Sequence, residues 1–142
     1  MNKELLAIYQ RDLIYASLDD LSPASSLKEV VGGKSDDERF EQRCGEVVNF
    51  LCLSLRGGLI HFPDHPELSL PGGEGMLRRL LEDENDDLSV SWYTLYFEGT
   101  AELRVALASF GLLSWAAWNG GAHQRFIRWM VSRMSVRRVR EG

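Results

Sequence analysis

Two histidines four positions apart, His61 and His65, are the first residues in the sequence that could do chemistry, because carboxylates lie close to them. A closed zinc site needs four ligands, and a catalytic one needs three from the protein. Histidines four apart share a face only on a helix, and Pro63 lies between these two. In an extended segment they diverge, and the set is then incomplete unless His123 folds in. We therefore predict neither a metal site nor a cofactor.

The two cysteines, Cys44 and Cys52, are the next candidates, either as nucleophiles or as a disulfide. Both fall on the apolar face of a predicted helix, where a thiol is inert rather than ionised. Eight residues of helix separate their Cα atoms by roughly 12 Å, whereas a disulfide requires less than about 7 Å. No serine lies in a G-x-S-x-G elbow. The sequence thus predicts a protein that is not an enzyme and that resides in the reducing cytoplasm.

A dense run of acidic residues, EDENDD, is the strongest electrostatic feature of the chain. Its acidic members are Glu82, Asp83, Glu84, Asp86 and Asp87. Residues 1–120 contain 20 acidic and 10 basic side chains, whereas residues 121–142 contain six arginines and one glutamate. An acidic body repels nucleic acid and attracts basic partners. We predict that the acidic run is exposed and binds a basic protein, with Trp92 and Tyr93 as aromatic anchors. Tyr96 and Trp118 are further candidates for that role.

Apolar residues at helical spacing, together with capping residues, predict five helices. The second of them opens with a capping box, Ser35 to Glu38, and Gly57 supplies its left-handed end. The predicted helices are Asn2–Leu18, Asp36–Arg56, Gly75–Glu82, a helix that Thr100 caps and Gly111 ends, and a last helix that begins near Ala122.

Three segments rich in apolar residues are candidates for strands. Leu59–Phe62 is a short strand between turn residues. Leu88–Phe97 alternates in polarity and is rich in aromatic residues, which favours a strand, although its apolar residues also fit a helix. Leu112–Trp118 could be a third strand. The predicted fold is a single α+β domain over 1–142, mainly helical with a small antiparallel sheet, and disorder of 136–142 is left open. We expect Leu88–Met134, which holds all four tryptophans, to anchor the core.

The order of these features resembles that of small bacterial immunity proteins. A capped helix (Asp36–Arg56), Gly57-Gly58, the strand LIHF, the run EDENDD and the segment SVSWYTLYF follow one another as in proteins that neutralise polymorphic toxins or mediate immunity to contact-dependent growth inhibition. The resemblance covers residues 36–97 and rests on layout and composition. It implies a cognate toxin, often a nuclease, that the protein binds tightly and holds inactive.

A winged-helix DNA-binding regulator is the alternative interpretation. The helix that Thr100 caps would be the recognition helix, Asn119-Gly120-Gly121 would turn a hairpin, and the arginine-rich last helix would contact phosphate. However, Arg104 is the only basic residue of the segment AELRVALASF. A helix that reads a DNA groove needs several side chains for phosphates and base edges. The composition of this helix therefore disfavours a nucleic-acid partner.

Overall fold

The computed structural model describes residues 3–26, 37–82 and 91–135, and the predicted α+β class, mainly helical with a small antiparallel sheet, is confirmed there. The capping box at Ser35 and the segment 136–142 lie outside the described residues. In chain order the elements are α1 (Lys3–Leu18), α2 (Asp37–Arg56), β1 (Ile60–His61), a 3₁₀ helix (Pro66–Ser69), α3 (Gly73–Leu81), α4 (Ser91–Thr94), β2 (Glu98–Gly99), α5 (Ala101–Ser109), α6 (Trp115–Trp118) and α7 (Gln124–Met134).

The sheet consists of two short strands, with a third segment attached to one end of it. β1 and β2 are antiparallel, with Ile60 opposite Gly99 and His61 opposite Glu98. Leu21, just after α1, exchanges two backbone hydrogen bonds with Phe97, at 3.0 and 2.9 Å. Such a small sheet is marginal by itself and needs helices packed on it.

Residues 91–94 form the helical turn α4, so the strand favoured for Leu88–Phe97 was wrong there, whereas Phe97 at its end pairs with Leu21 in a β-bridge. Residues 88–90 lie outside the described part. Trp92 and Leu95 are buried, whereas Tyr93 and Thr94 are exposed. A spacing of three places two apolar side chains on one face of a helix, but on opposite faces of a strand. The helical alternative therefore buries both.

The possible strand at 112–118 was also wrong, because these residues include the helical turn α6. Ser114 caps this turn by accepting a hydrogen bond from the Ala117 amide at 3.1 Å. The expected hairpin turn is a continuation of α6, since the Gly120 amide donates to the Ala117 carbonyl. The chain then enters α7 directly, and His123 caps that helix through its ring nitrogen.

Helices α1 and α2 contribute more to the core than we expected from the tryptophans, which all lie within Leu88–Met134. Among the four tryptophans only Trp92 is fully buried, and Trp115 is 47 % exposed. α1 lies against β2, α5, α6 and α7, while α2 lies against β1, α3 and α7. These two helices supply much of the buried apolar surface, from Leu13, Ile14, Ala16, Val47, Val48, Phe50, Leu51 and Leu55.

Side-chain hydrogen bonds hold α7 at both of its ends. At the first end, the buried Gln10 accepts from the His123 amide at 2.8 Å. At the last end, the Arg133 guanidinium donates to the Gly57 carbonyl at 3.0 Å and pairs with Glu102. Gly57 has no room for a side chain, because a Cβ would lie 2.8 Å from the Arg133 carbonyl oxygen. The left-handed residue that follows α2 is Gly58 rather than Gly57, with φ 70°.

Helix α1 approaches β2 closely at Gly99. A Cβ on Gly99 would lie 2.2 Å from the Ser17 hydroxyl and 3.1 Å from the Leu103 side chain. Real Cβ atoms do not approach other atoms this closely, so a side chain here would separate α1 from the sheet. Gly45, in the middle of α2, has no heavy atom within 4 Å of an added Cβ.

We expect Gly99→Ala to lower the free energy of unfolding by about 1–3 kcal/mol, because it overpacks the contact between α1 and β2. The matched control, Gly45→Ala, should raise that free energy by about 0.5–1 kcal/mol, since alanine favours a helix interior. Urea denaturation of the two variants measures both changes. Similar shifts for both would contradict the close contact at Gly99.

The phenol of Tyr9 is buried between α1 and α2. Its ring stacks on Phe50 with centroids 4.1 Å apart, and its hydroxyl donates to the Glu46 carbonyl at 3.4 Å. Burial, and then the negative charges of Glu46 and Asp12, raise the pKa of Tyr9 to about 12 from 10.0. The folded protein therefore keeps a proton that the unfolded chain releases above pH 10.

The sign of the resulting pH dependence follows from this proton. The contribution of the protonated Tyr9 to stability is complete below pH 10 and is lost as the pH rises through 12. Over this interval the unfolded state binds fewer protons than the folded state, so rising pH favours unfolding. We expect the difference in stability between wild type and Tyr9→Phe to shrink over this interval, as measured by urea denaturation at pH 9, 10 and 11. A difference that stays constant would show that the Tyr9 pKa is not raised.

Candidate protein-binding surface

The acidic run joins two points of the structure that a buried hydrogen bond holds together. The Trp92 indole nitrogen donates to the Leu81 carbonyl at 2.8 Å. Leu81 ends α3, and Trp92 lies in the first turn of α4. The ends of the segment 82–91 are therefore fixed relative to each other. Four of its predicted binding residues, Asp83, Glu84, Asp86 and Asp87, lie outside the described residues.

Glu82, the remaining acid of the predicted site, is exposed at the end of α3. Its carboxylate forms an ion pair with Arg78, one turn earlier, at 3.1 Å. Exposed pairs of this kind contribute little to stability. The pair partly neutralises Glu82, so the negative charge available for a partner rests mainly on the acids that follow it in the sequence.

The two predicted aromatic anchors have opposite environments. Trp92 is only 1 % exposed and belongs to the core, so the structure corrects its assignment as a partner-binding residue. Tyr93 is 57 % exposed, and Tyr96 is 46 % exposed. Tyrosine combines a large apolar ring with a polar hydroxyl, which suits a binding surface. Glu82, Tyr93 and Tyr96 are the described members of what we call the acidic surface, to which the sequence adds the acids of 83–87.

The three histidines make separate contacts, and that of His123 is the cap of α7. His61 lies 3.7 Å from the Glu98 carboxylate across the sheet, and His65 lies 3.1 Å from the Glu67 carboxylate. A hydrogen bond from its own backbone, and then one with His65, lower the pKa of Glu67. Within residues 3–26, 37–82 and 91–135, no group of three histidine, cysteine or acidic side chains could hold a metal ion.

Both cysteines are free thiols with little tendency to ionise. Cys52 is buried, with its sulfur 3.8 Å from the Glu74 carbonyl oxygen. Burial raises the pKa of both Cys44 and Cys52. Because the thiolate is the nucleophilic form, these environments give neither cysteine the properties of a catalytic residue.

A second group of aromatic side chains, which the sequence did not reveal as a unit, lies where α1 meets α6. Tyr15 of α1 contacts Trp115 and Trp118, with ring centroids 5.1 and 6.0 Å apart. The Arg11 guanidinium lies 4.6 Å above the Trp118 ring. We call Tyr15, Trp115 and Trp118 the aromatic cluster. One local feature of the sequence indicates part of this cluster. Trp115 and Trp118 follow the capping residue Ser114 and are three residues apart, which is a helical spacing.

The arginines of α7 differ in exposure, because Arg133 is half-buried and the other two are exposed. Arg133 holds the Gly57 carbonyl, whereas Arg125 and Arg128 are exposed. The Arg125 guanidinium lies 5.9 Å from the Phe110 ring. The C-terminal arginines at 137, 138 and 140 lie outside the described residues.

Comparisons with protein-family models, with curated proteins and with solved structures give no match for this chain. None of the helices in the described ranges has both the length and the apolar character needed to cross a membrane.

Replacing Trp92 tests whether it is a core residue rather than a surface anchor. We expect Trp92→Phe to lower the free energy of unfolding by about 1–3 kcal/mol, since it leaves a cavity and an unpaired Leu81 carbonyl. Tyr93→Ala should change it by less than about 0.5 kcal/mol, because this side chain is largely exposed. Urea denaturation distinguishes the two. Equal effects would contradict the different environments of these neighbours.

Proposed function

We propose that the protein is a non-enzymatic inhibitor of the immunity-protein type, which binds a basic toxin domain in the cytoplasm through the acidic surface. The observation that carries this proposal is the exposed Tyr93 next to the buried Trp92. The hydrogen bond from Trp92 to Leu81 fixes both ends of a segment that contains five acids within residues 82–87. A large exposed aromatic residue therefore accompanies the densest negative charge of the chain.

Carboxylates and aromatic rings have complementary roles in such an interface. A toxin that acts on nucleic acid has a basic site for phosphates, and clustered carboxylates can occupy that site. Charge complementarity increases the rate of encounter. Tyrosines that become buried on binding slow dissociation, since aromatic anchors carry much of the energy of an interface. This division of roles supports an inhibitor that needs no catalytic group.

The winged-helix alternative requires a hairpin at residues 119–121 to form the wing, and these residues do not form one. Trp115–Trp118 is a helical turn, and 119–121 continue into the cap of α7 rather than into a hairpin. Exposed Arg125 and Arg128 are what remains in its favour among the described residues. Binding of duplex DNA is therefore an outcome that the test must be able to detect.

Matched charge reversals test the proposed function. One variant carries Asp83→Lys, Asp86→Lys and Asp87→Lys, which leaves the ion pair between Glu82 and Arg78 intact. The control carries Glu41→Lys, Asp64→Lys and Glu67→Lys, three exposed acids elsewhere in the chain. Both variants have the same net charge. Wild type and variants are immobilised, exposed to native cell extract, and their bound proteins and nucleic acids are identified.

We expect wild type and the control to retain the same basic protein, and the variant in the acidic run to lose at least about tenfold in affinity for it. Binding should also weaken as salt rises from about 0.05 to 0.5 M, because salt screens exposed charges. Equal binding by both variants would refute the acidic surface. Retention of duplex DNA, weakened by Arg125→Ala or Arg128→Ala, would favour the alternative.

A further inference from the structure

Helix α1 and the residue that follows it place three side chains in a line near the aromatic cluster. Arg11, Tyr15 and Asp19 succeed one another at intervals of four residues, so they follow one face of the helix. The Asp19 amide donates to the Tyr15 carbonyl at 2.8 Å, which continues the helical turn to this acid. Trp118 contacts Arg11, and Trp115 contacts Tyr15. The line therefore runs from the cation of Arg11, through Tyr15 with its two indole neighbours, to the exposed acid Asp19 one turn further on.

The aromatic cluster already holds one guanidinium, from its own chain. The charged end of Arg11 lies above the Trp118 ring, and its Nε donates to the Trp118 carbonyl at 3.3 Å. A cation above an indole face is attracted by the electron density of the ring. Arg11 thus shows which chemistry this group of rings accepts, and it occupies the Trp118 side of the cluster.

Trp115 is the part of the cluster that remains open to a partner. It is 47 % exposed, and its ring packs edge to face against both Tyr15 and Trp118. These contacts orient the indole before any partner arrives, which lowers the entropy lost on binding. An exposed tryptophan of fixed orientation is typical of the anchors in protein interfaces.

Two acidic residues follow the turn of Tyr15, and their negative charge favours a positive occupant. Asp19 and Asp20 are both exposed, Asp19 lies one turn from Tyr15, and its carboxylate accepts a hydrogen bond from the Asp20 amide at 2.9 Å. An arginine can stack its planar guanidinium on an aromatic face while it donates hydrogen bonds to a carboxylate. A lysine can do only part of this, because its ammonium is a compact point charge.

We propose that Trp115, Tyr15 and Asp19 form a binding site for an arginine side chain of a basic partner protein. The identity of that partner as the inhibited protein rests on the proposed function. The site itself is built from α1, the residue that follows it and α6, not from the α3 and α4 ends that carry the acidic surface. It gives the protein a second contact, which recognises arginine by stacking and by charge.

The indole N–H signals of ¹⁵N-labelled protein test this site directly. The probes are an octa-arginine and an octa-lysine peptide, added at about 0.15 M salt. We expect octa-arginine to shift the Trp115 signal to saturation while the signal of buried Trp92 stays in place. We also expect octa-arginine to bind more tightly than octa-lysine. A Trp115 signal that does not move, or equal affinities for the two peptides, would overturn the assignment.

Two substitutions measure the contributions of Trp115 and Asp19, and a third serves as the control. Trp115→Ala should weaken octa-arginine binding about threefold to tenfold, in the range of a partly exposed cation–π contact. Asp19→Asn should weaken it about twofold to threefold. Val105→Ala is the matched control, since Val105 is 70 % exposed on α5 and should have no effect. An unchanged Trp92 signal shows in each case that the core is intact.

The two proposals fail in different ways. If octa-arginine binding depends on Asp83, Asp86 and Asp87 but not on Trp115, the site in the aromatic cluster is refuted and the acidic surface remains. If Trp115→Ala weakens octa-arginine binding while the variant in the acidic run still retains its partner, the arginine site stands and the acidic surface is refuted.

Discussion

The contact of α1 with β2 is the constraint on which the rest of the structure depends. Two strands of two residues cannot stabilise themselves, and α1 can cover them only because Gly99 has no side chain to meet Ser17. From this position the same helix brings Leu21 to Phe97, Gln10 to the start of α7, and Tyr15 to α6. The small sheet, the last helix and the aromatic cluster are therefore all located by one helix.

The longer helices could be predicted from the sequence because each has several signals that agree. Helix α5, for example, has Thr100 as its cap, whose hydroxyl accepts from the Leu103 amide, and Gly111 after its end, with φ 72°. The four-residue turns α4 and α6 could not be predicted with the same security. A single turn contains too few residues to show a period: Leu88, Val90 and Trp92 alternate as in a strand, whereas Trp92 and Leu95 have a helical spacing.

For the candidate surface, too, some features could be predicted from composition, whereas others depend on how the chain packs. Clustered acids are expected to be exposed, because burying unpaired charge is costly. For the neighbours Trp92 and Tyr93 the sequence cannot tell which is buried, since both are large and aromatic. The aromatic cluster depends on contacts between distant positions, such as Arg11 and Trp118, which are 107 residues apart. No local pattern could have joined them.

The two proposed surfaces would act at different stages of association. The acidic run exerts a field over about one Debye length, roughly 8 Å at physiological salt, so it would set how often the proposed basic partner arrives. The Trp115 indole acts only in contact, so it would set how long that partner stays. Salt reduces the first effect far more than the second. An inhibitor built in this way can combine rapid capture with slow release, and it can do so on a small domain because neither surface requires a buried cavity.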